Sequence, residues 1–158
     1  MINAAVVGEG ALISRLGAMP RAIRERVEGA VGALAQDLRA LIQRKLSGEV
    51  LQRRSGTLSG SIEVELVPQR DQVAATVATG VPYAGIHEYG GTIPAREVLP
   101  KSGRVLAFPW KGEQRFFKRV QLPQINLPER SFLRSALDEM APEIRAALAD
   151  AVREAVRE

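Results

Sequence analysis

Ile23, Val27, Val31, Leu34, Leu38 and Leu41 recur at steps of three and four. That period places them on one side of a helix, and a stripe this long must be buried against something. Pro20 suits the first turn of such a helix. Its end is expected near Leu46, before Ser47-Gly48. Arg21, Arg24, Arg26, Asp37, Arg39 and Arg44 fall mainly off the stripe. A polar face of mixed charge makes the stripe a core or partner surface rather than a membrane surface. Gly29 and Gly32 each cost about 1 kcal/mol relative to alanine, so close approach to another backbone is the use expected of them.

The period then changes to two. Ile62, Val64 and Leu66 alternate with Glu63 and Glu65, and Val73, Ala75 and Val77 alternate again after Pro68-Gln69-Arg70-Asp71. This pattern predicts an antiparallel hairpin with one buried face. Ile2, Ala4 and Val6 read as a short edge strand, and Ala11 to Leu16 as a turn or two of helix. Arg104 to Trp110 and Arg115 to Gln121 predict a second hairpin around Lys111-Gly112-Glu113-Gln114. In its second strand Phe116 and Lys118 share one face, Phe117 and Arg119 the other, so one packed and one snorkelling face are expected. The last element is a helix striped by Leu133, Leu137, Met140, Ile144, Leu148 and Val152, with Ser131 as N-cap and Pro142 expected to kink or split it. Helices at both ends with hairpins between them give an α+β class.

Between the hairpins lies Val81-Pro82-Tyr83-Ala84-Gly85-Ile86-His87-Glu88-Tyr89-Gly90-Gly91-Thr92, which holds both tyrosines and the only histidine. Tyr83, Ile86 and Tyr89 are three apart and predict a short helix, closed by glycine and pinned on the body by its aromatic groups. The plain reading makes the tyrosines packing residues and His87 a surface or capping group. A catalytic reading would pair His87 with Glu88, yet neighbours on a helix point about 100° apart, and no nucleophile or second base is in sequence reach. One histidine and no cysteine make no usual zinc site and exclude disulfides.

A chain of 158 residues is one domain by length. It is expected to form a single unit over 1–158, with extended loops or arms at about 47–60 and 92–103. No apolar run approaches the roughly 20 residues of a membrane helix, and the start, Met1-Ile2-Asn3-Ala4, does not read as a signal peptide. The net charge of +4 permits contact with nucleic acid or an acidic partner without singling either out. Residues 51–61, rich in glycine and serine, read as a loop in which Arg53 and Arg54 either are solvated or bind phosphate or an acidic neighbour. The second hairpin interleaves Phe108, Phe116, Phe117 and Trp110 with Lys101, Arg104, Lys111, Arg115, Lys118 and Arg119. That keeps a nucleic-acid-binding module over 101–121 as the alternative function.

Three segments in order suggest a family: Arg54-Ser55-Gly56-Thr57-Leu58-Ser59-Gly60-Ser61-Ile62, then Val81 to Gly91, then Pro128-Glu129-Arg130-Ser131-Phe132-Leu133-Arg134-Ser135-Ala136-Leu137. With Leu106-Ala107-Phe108-Pro109-Trp110, they resemble the virion-morphogenesis, or tail-completion, proteins of Mu-like prophages and long-tailed phages. Ser131 stands where many of those proteins have proline. The resemblance implies helices packed on a small antiparallel sheet, no catalytic role and no cofactor. It implies a structural subunit of the virion neck or tail, made in the host cytoplasm. Its expected partners are copies of itself in a ring, with six as the candidate count, and other neck, tail-terminator or tail-tube proteins. Transient contact with DNA in the lumen is also expected, and no contact with membrane. Closure of a ring needs two different surfaces on each subunit, for which the proline-rich arm from Ile93 to Pro100 and the loop from Gln52 to Gly60 are the candidates. Arg53, Arg54, Tyr83, His87, Glu88, Tyr89, Arg96, Lys111 and Phe132 are the residues expected to serve interaction.

Overall fold

A computed structural model describes residues 2–5, 21–51, 55–68, 72–101 and 103–157. The expected turn of helix over 11–16, Pro20, and both Arg53 and Arg54 lie outside the described residues.

The apolar stripe forms α1, Arg21–Arg44, continued by a π-helical turn over Lys45–Glu49. Ile23, Val27, Leu34, Leu38, Leu41 and Leu46 are all buried, joined by Ala35 and Ile42. Gly29 and Gly32 do not serve close backbone contact. Among the described residues, a β-carbon at Gly29 would meet nothing within 4 Å, and one at Gly32 would meet only the Leu66 side chain at 3.5 Å.

The period-two segments pair as expected, β2 (Ile62–Pro68) with β3 (Val73–Thr79). The N-terminal strand β1 (Ile2–Ala5) adds to the other side of β3, so the order is β1-β3-β2. The register sets Ile62 opposite Thr79, Val64 opposite Val77 and Leu66 opposite Ala75. Cross-strand partners lie on one face, and this is the face that packs on α1. Glu63 and Glu65 stand on the other and are exposed.

The last helix, α4 (Leu133–Arg157), runs through Pro142 without a break. Proline removes one amide donor and crowds the preceding turn. At Pro142, which is exposed, water can take up the freed carbonyl while α1 holds both halves of the helix. The two helices are antiparallel. Lys45 Nζ meets Glu139 Oε2 at 2.7 Å near one end of the contact, and Arg26 Nη1 meets Glu154 Oε2 at 3.4 Å near the other. The main core joins α1, the sheet and the first turns of α4 through Leu38, Ile42, Ile62, Val77, Phe132 and Met140.

Two further findings refine the sequence reading. Residues 57–60 are not loop but a single helical turn, α2 (Thr57–Gly60), tied to α1 by the Gln43 amide donating to the Ser59 carbonyl at 3.2 Å. The second hairpin forms around Lys111-Gly112 as expected, with Leu106–Trp110 paired to Glu113–Phe117, but it is the tip of a longer element. Strands β4 (Gly91–Ile93), β5 (Arg96–Val98) and β6 (Leu106–Trp110) run out. Strands β7 (Glu113–Phe117), β8 (Val120–Leu122) and β9 (Ile125–Leu127) run back. They pair in nested order, β4 with β9, β5 with β8, β6 with β7. Residues 91–127 are therefore one long two-stranded ribbon, and the proline-rich arm expected at 92–103 is half of its outgoing edge. The ladder breaks where Pro94-Ala95 faces Pro123-Gln124, since proline has no amide hydrogen to give a ladder. At the tip Trp110 pairs with Glu113 across a two-residue turn with positive φ at both Lys111 (52°) and Gly112 (85°), the type I′ geometry that suits strand twist.

Candidate functional site

Thr79, buried at the end of β3, directs the chain out of the sheet. Its hydroxyl lies 2.7 Å from that of Ser61 and accepts from the Val81 amide at 3.3 Å. The next residues form α3, Ala84–Tyr89, as the spacing predicts. The aromatic groups do not pin it. Tyr83 and Tyr89 are 45% and 55% exposed, whereas Ala84 and Glu88 have no exposure. The helix is anchored through its smallest residue and its acid. A six-residue helix has one inward stripe, and here Ala84 and Glu88, four apart, occupy it.

Glu88 is the centre of this region. Its Oε2 accepts from the amides of Phe132 (2.8 Å) and Leu133 (2.9 Å). Its Oε1 accepts from the Arg134 amide (3.0 Å), the Ser131 hydroxyl (2.7 Å) and Arg134 Nε (3.3 Å). The next amide, Ser135, donates to Ser131 Oγ at 3.2 Å. The first four amides of a helix have no partner within it, and at α4 they are those of residues 132–135. Ser131 serves one of them as an accessory, but the carboxylate that caps the other three comes from α3, more than forty residues away. A negative charge there also meets the positive end of the helix dipole. Burial pushes the Glu88 carboxyl up, but the amides of Arg134, Leu133 and Phe132 and the Ser131 hydroxyl outweigh it, and the net shift is downward from 4.5.

Four further contacts close the junction. The Arg130 amide donates to the His87 carbonyl at 2.8 Å. Arg134 Nη2 reaches the Glu88 carbonyl at 3.3 Å and Glu129 Oε1 at 2.5 Å, while its guanidinium lies 4.7 Å over the Tyr89 ring. Gly90 closes α3 at φ 68°, ψ −175°, a region open essentially to glycine alone. A β-carbon there would sit 2.7 Å from the Glu129 amide nitrogen and 2.9 Å from the Leu127 carbonyl oxygen.

The candidate residues thus divide. Glu88, Tyr89 and Phe132 come together, Phe132 fully buried beneath the cap. His87 is half-buried beside them and meets Tyr83 edge-on at 6.1 Å. Arg96 and Lys111 lie away on the ribbon, Arg96 opposite Leu122 and Lys111 at the tip, both exposed. The pairing of His87 with Glu88 as acid and base does not survive the geometry, because both Glu88 oxygens are buried and already accept. Among the described residues no cluster of three or more His, Asp or Glu side chains converges on a metal position, and no helix is long and apolar enough to cross a membrane. Sequence reasoning missed the cap because it rests on a contact between two distant segments. The one available signal was that His87-Glu88-Tyr89-Gly90 and Glu129-Arg130-Ser131-Phe132-Leu133-Arg134 both belong to the segments that carry the resemblance.

A model of the HK97-gp10-like phage tail-component family matches residues 10–90. The matched segment covers just over half of the chain and ends at the glycine that closes α3. No curated protein and no solved structure matches the chain.

Proposed function

Because this chain belongs to the HK97-gp10-like family of phage tail components, we propose that it is a structural subunit of the neck or the head-proximal end of the tail. There it assembles head to tail into a ring that completes the tail or joins it to the head. A structural role in the tail, and with it contact with other tail proteins, comes with the family. The ring rests on one observation, the ribbon over 91–127, and its place on the resemblance of the three sequence segments. None of its strands packs extensively on a helix or on the three-stranded sheet, and a two-stranded ribbon by itself is marginally stable in water. Such an element gains its stability from a neighbour. Glu88 supports this arrangement by holding the ribbon's two roots together, since Gly90 precedes β4 and Glu129 follows β9 within the same junction.

Native mass spectrometry of the purified chain should show one closed multimer. Replacing residues 99–119 by Asn-Gly, which joins β5 directly to β8, should leave the helical circular dichroism signal and abolish the multimer. A chain that stays monomeric at every concentration, or complete infectious particles assembled without it, would overturn the reading.

A nucleic-acid contact is the second reading, favoured by the charge of the ribbon. Residues 91–127 carry seven Lys or Arg against two Glu, a net of +5 where the whole chain has +4. Its aromatic content argues the other way. Phe108 and Phe117 stack on each other at 5.1 Å and 14°, which uses the faces that bases would need. Salt-dependent retardation of duplex DNA by the intact chain, lost on shortening the ribbon, would establish it.

A further inference from the structure

We infer that the ribbon of one subunit seats in the groove between α1 and α4 of the next copy, so that this contact is the one repeated around the assembly. The inference rests on the ring reading above and names its two surfaces.

The ribbon combines exposed apolar groups with its basic charge. Leu99, Val105, Phe116, Leu122 and Ile125 are exposed large hydrophobics, with Phe116 at 64% and Leu99 at 58%. Four of these five are aliphatic and offer no stacking ring, which suits a protein surface better than bases. Between β5 and β6, Leu99 and Val105 bracket Lys101 and Arg104, and neither cation has an ion-pair partner among the described residues. The ribbon's own acids are engaged, Glu97 by Arg119 at 3.5 Å and Glu113 by Arg115 at 3.6 Å. The segment thus presents unpaired positive charge beside exposed aliphatic groups.

The body offers the complement. The groove between the helices is lined by Ala40, Leu41 and Met140, with Asp37 and Glu143 exposed at its rim. Asp37 and Glu143 have no ion-pair partner among the described residues, and Glu139 is taken up by Lys45. Arg44 also lines the groove and offsets part of its charge, which leaves it acidic. A groove with an acidic rim and a small apolar floor at Ala40, Leu41 and Met140 matches cations carried beside aliphatic groups. Ribbon and groove are different surfaces of one chain, so the contact is heterologous, and repetition with rotation closes a ring.

The experiment compares multimer dissociation, by native mass spectrometry and sedimentation velocity, for the full chain and three variants. These are Lys101→Glu with Arg104→Glu, Asp37→Lys with Glu143→Lys, and all four together. All four positions are exposed, and circular dichroism checks that each variant folds. Each double variant should weaken the multimer at least about tenfold, and the fourfold variant should recover most of the loss, because like charges facing across an interface repel and swapped ones attract. A photo-crosslinker at Phe116 should join α1 or α4 of another copy. If the wild type forms its multimer and both double variants form it equally well, the ribbon-to-groove contact is wrong while the ring stands. If the wild type is monomeric throughout, the ring reading itself fails. If the ribbon variant loses duplex DNA binding and keeps the multimer, the basic edge serves nucleic acid and the inference falls.

Discussion

Replacing Glu88 with glutamine keeps the shape of the side chain and removes one acceptor oxygen and the charge. Both carboxylate oxygens accept from backbone amides, Oε2 from Phe132 and Leu133 and Oε1 from Arg134. A carboxamide must therefore turn its NH2 toward at least one amide donor, whichever way it flips. The milder orientation puts the NH2 at the Oε1 position, where the Ser131 hydroxyl can rotate to accept. It still forfeits the Arg134 amide bond and sets donor against donor. A hydrogen bond to a charged group contributes about 1.5–3 kcal/mol, and a charge at a partly buried helix N-terminus up to about 2. Allowing for overlap between the two, Glu88→Gln should cost about 3 kcal/mol. That lowers the melting temperature by about 6–12 °C for a chain of this length. Glu88→Ala, which leaves three buried amides uncapped, should cost more, about 4–5 kcal/mol.

The assay is equilibrium urea unfolding by far-ultraviolet circular dichroism, with the slope checked for constancy. Hydrogen exchange at the amides of residues 132–134 should accelerate in step. The pH dependence adds a second readout. The Glu88 carboxyl is held below its ordinary value in the folded chain, so the unfolded chain binds the proton more readily. The contribution is fully present above the unfolded carboxylate pKa and is lost as pH falls through the folded one. Glu88→Gln should flatten that acid slope and leave the neutral plateau merely lower. A Glu88→Gln variant within about 0.5 kcal/mol of wild type would refute the cap as the source of the junction's stability.

Gly90→Ala should destabilise by about 2–3 kcal/mol, since it combines a glycine-only backbone region with a β-carbon 2.7 Å from the Glu129 nitrogen. Urea unfolding measures it, and a loss under about 0.5 kcal/mol would count against the close approach. Gly29→Ala should stabilise by about 0.5–1 kcal/mol, because a β-carbon there meets nothing within 4 Å among the described residues and glycine is a poor helix former. A drop in melting temperature would show that this surface is occupied. Lys45, buried between Glu139 and Glu49, has its pKa raised chiefly by the hydrogen bond to Glu139, against the cost of burial. Its contribution is full below the unfolded lysine pKa and disappears as pH rises through the folded one. Lys45→Met should remove that alkaline loss in a melting series from pH 8 to about 12, and an unchanged alkaline slope would show that another group carries it.

The local elements were legible in the amino-acid order. The stripe from Ile23 to Leu41 could only be a buried helix face, and the alternation around Ile62 and Val77 only a half-buried strand pair. Both follow from the repeat distance of the backbone that carries the side chains, so α+β was available before any coordinates. The three-dimensional contacts decided the rest. Alternation over 106–117 looks the same in a hairpin packed on a core as in the tip of a nested, exposed ribbon. The two tyrosines at the ends of α3 read as anchors because aromatic groups usually pack, yet the helix is fastened by Ala84 and Glu88. The cap at α4 joins a glutamate to amides of residues 132–134. No local pattern marks such a bond, because it forms only when the sheet and helices have brought two remote segments within hydrogen-bond distance.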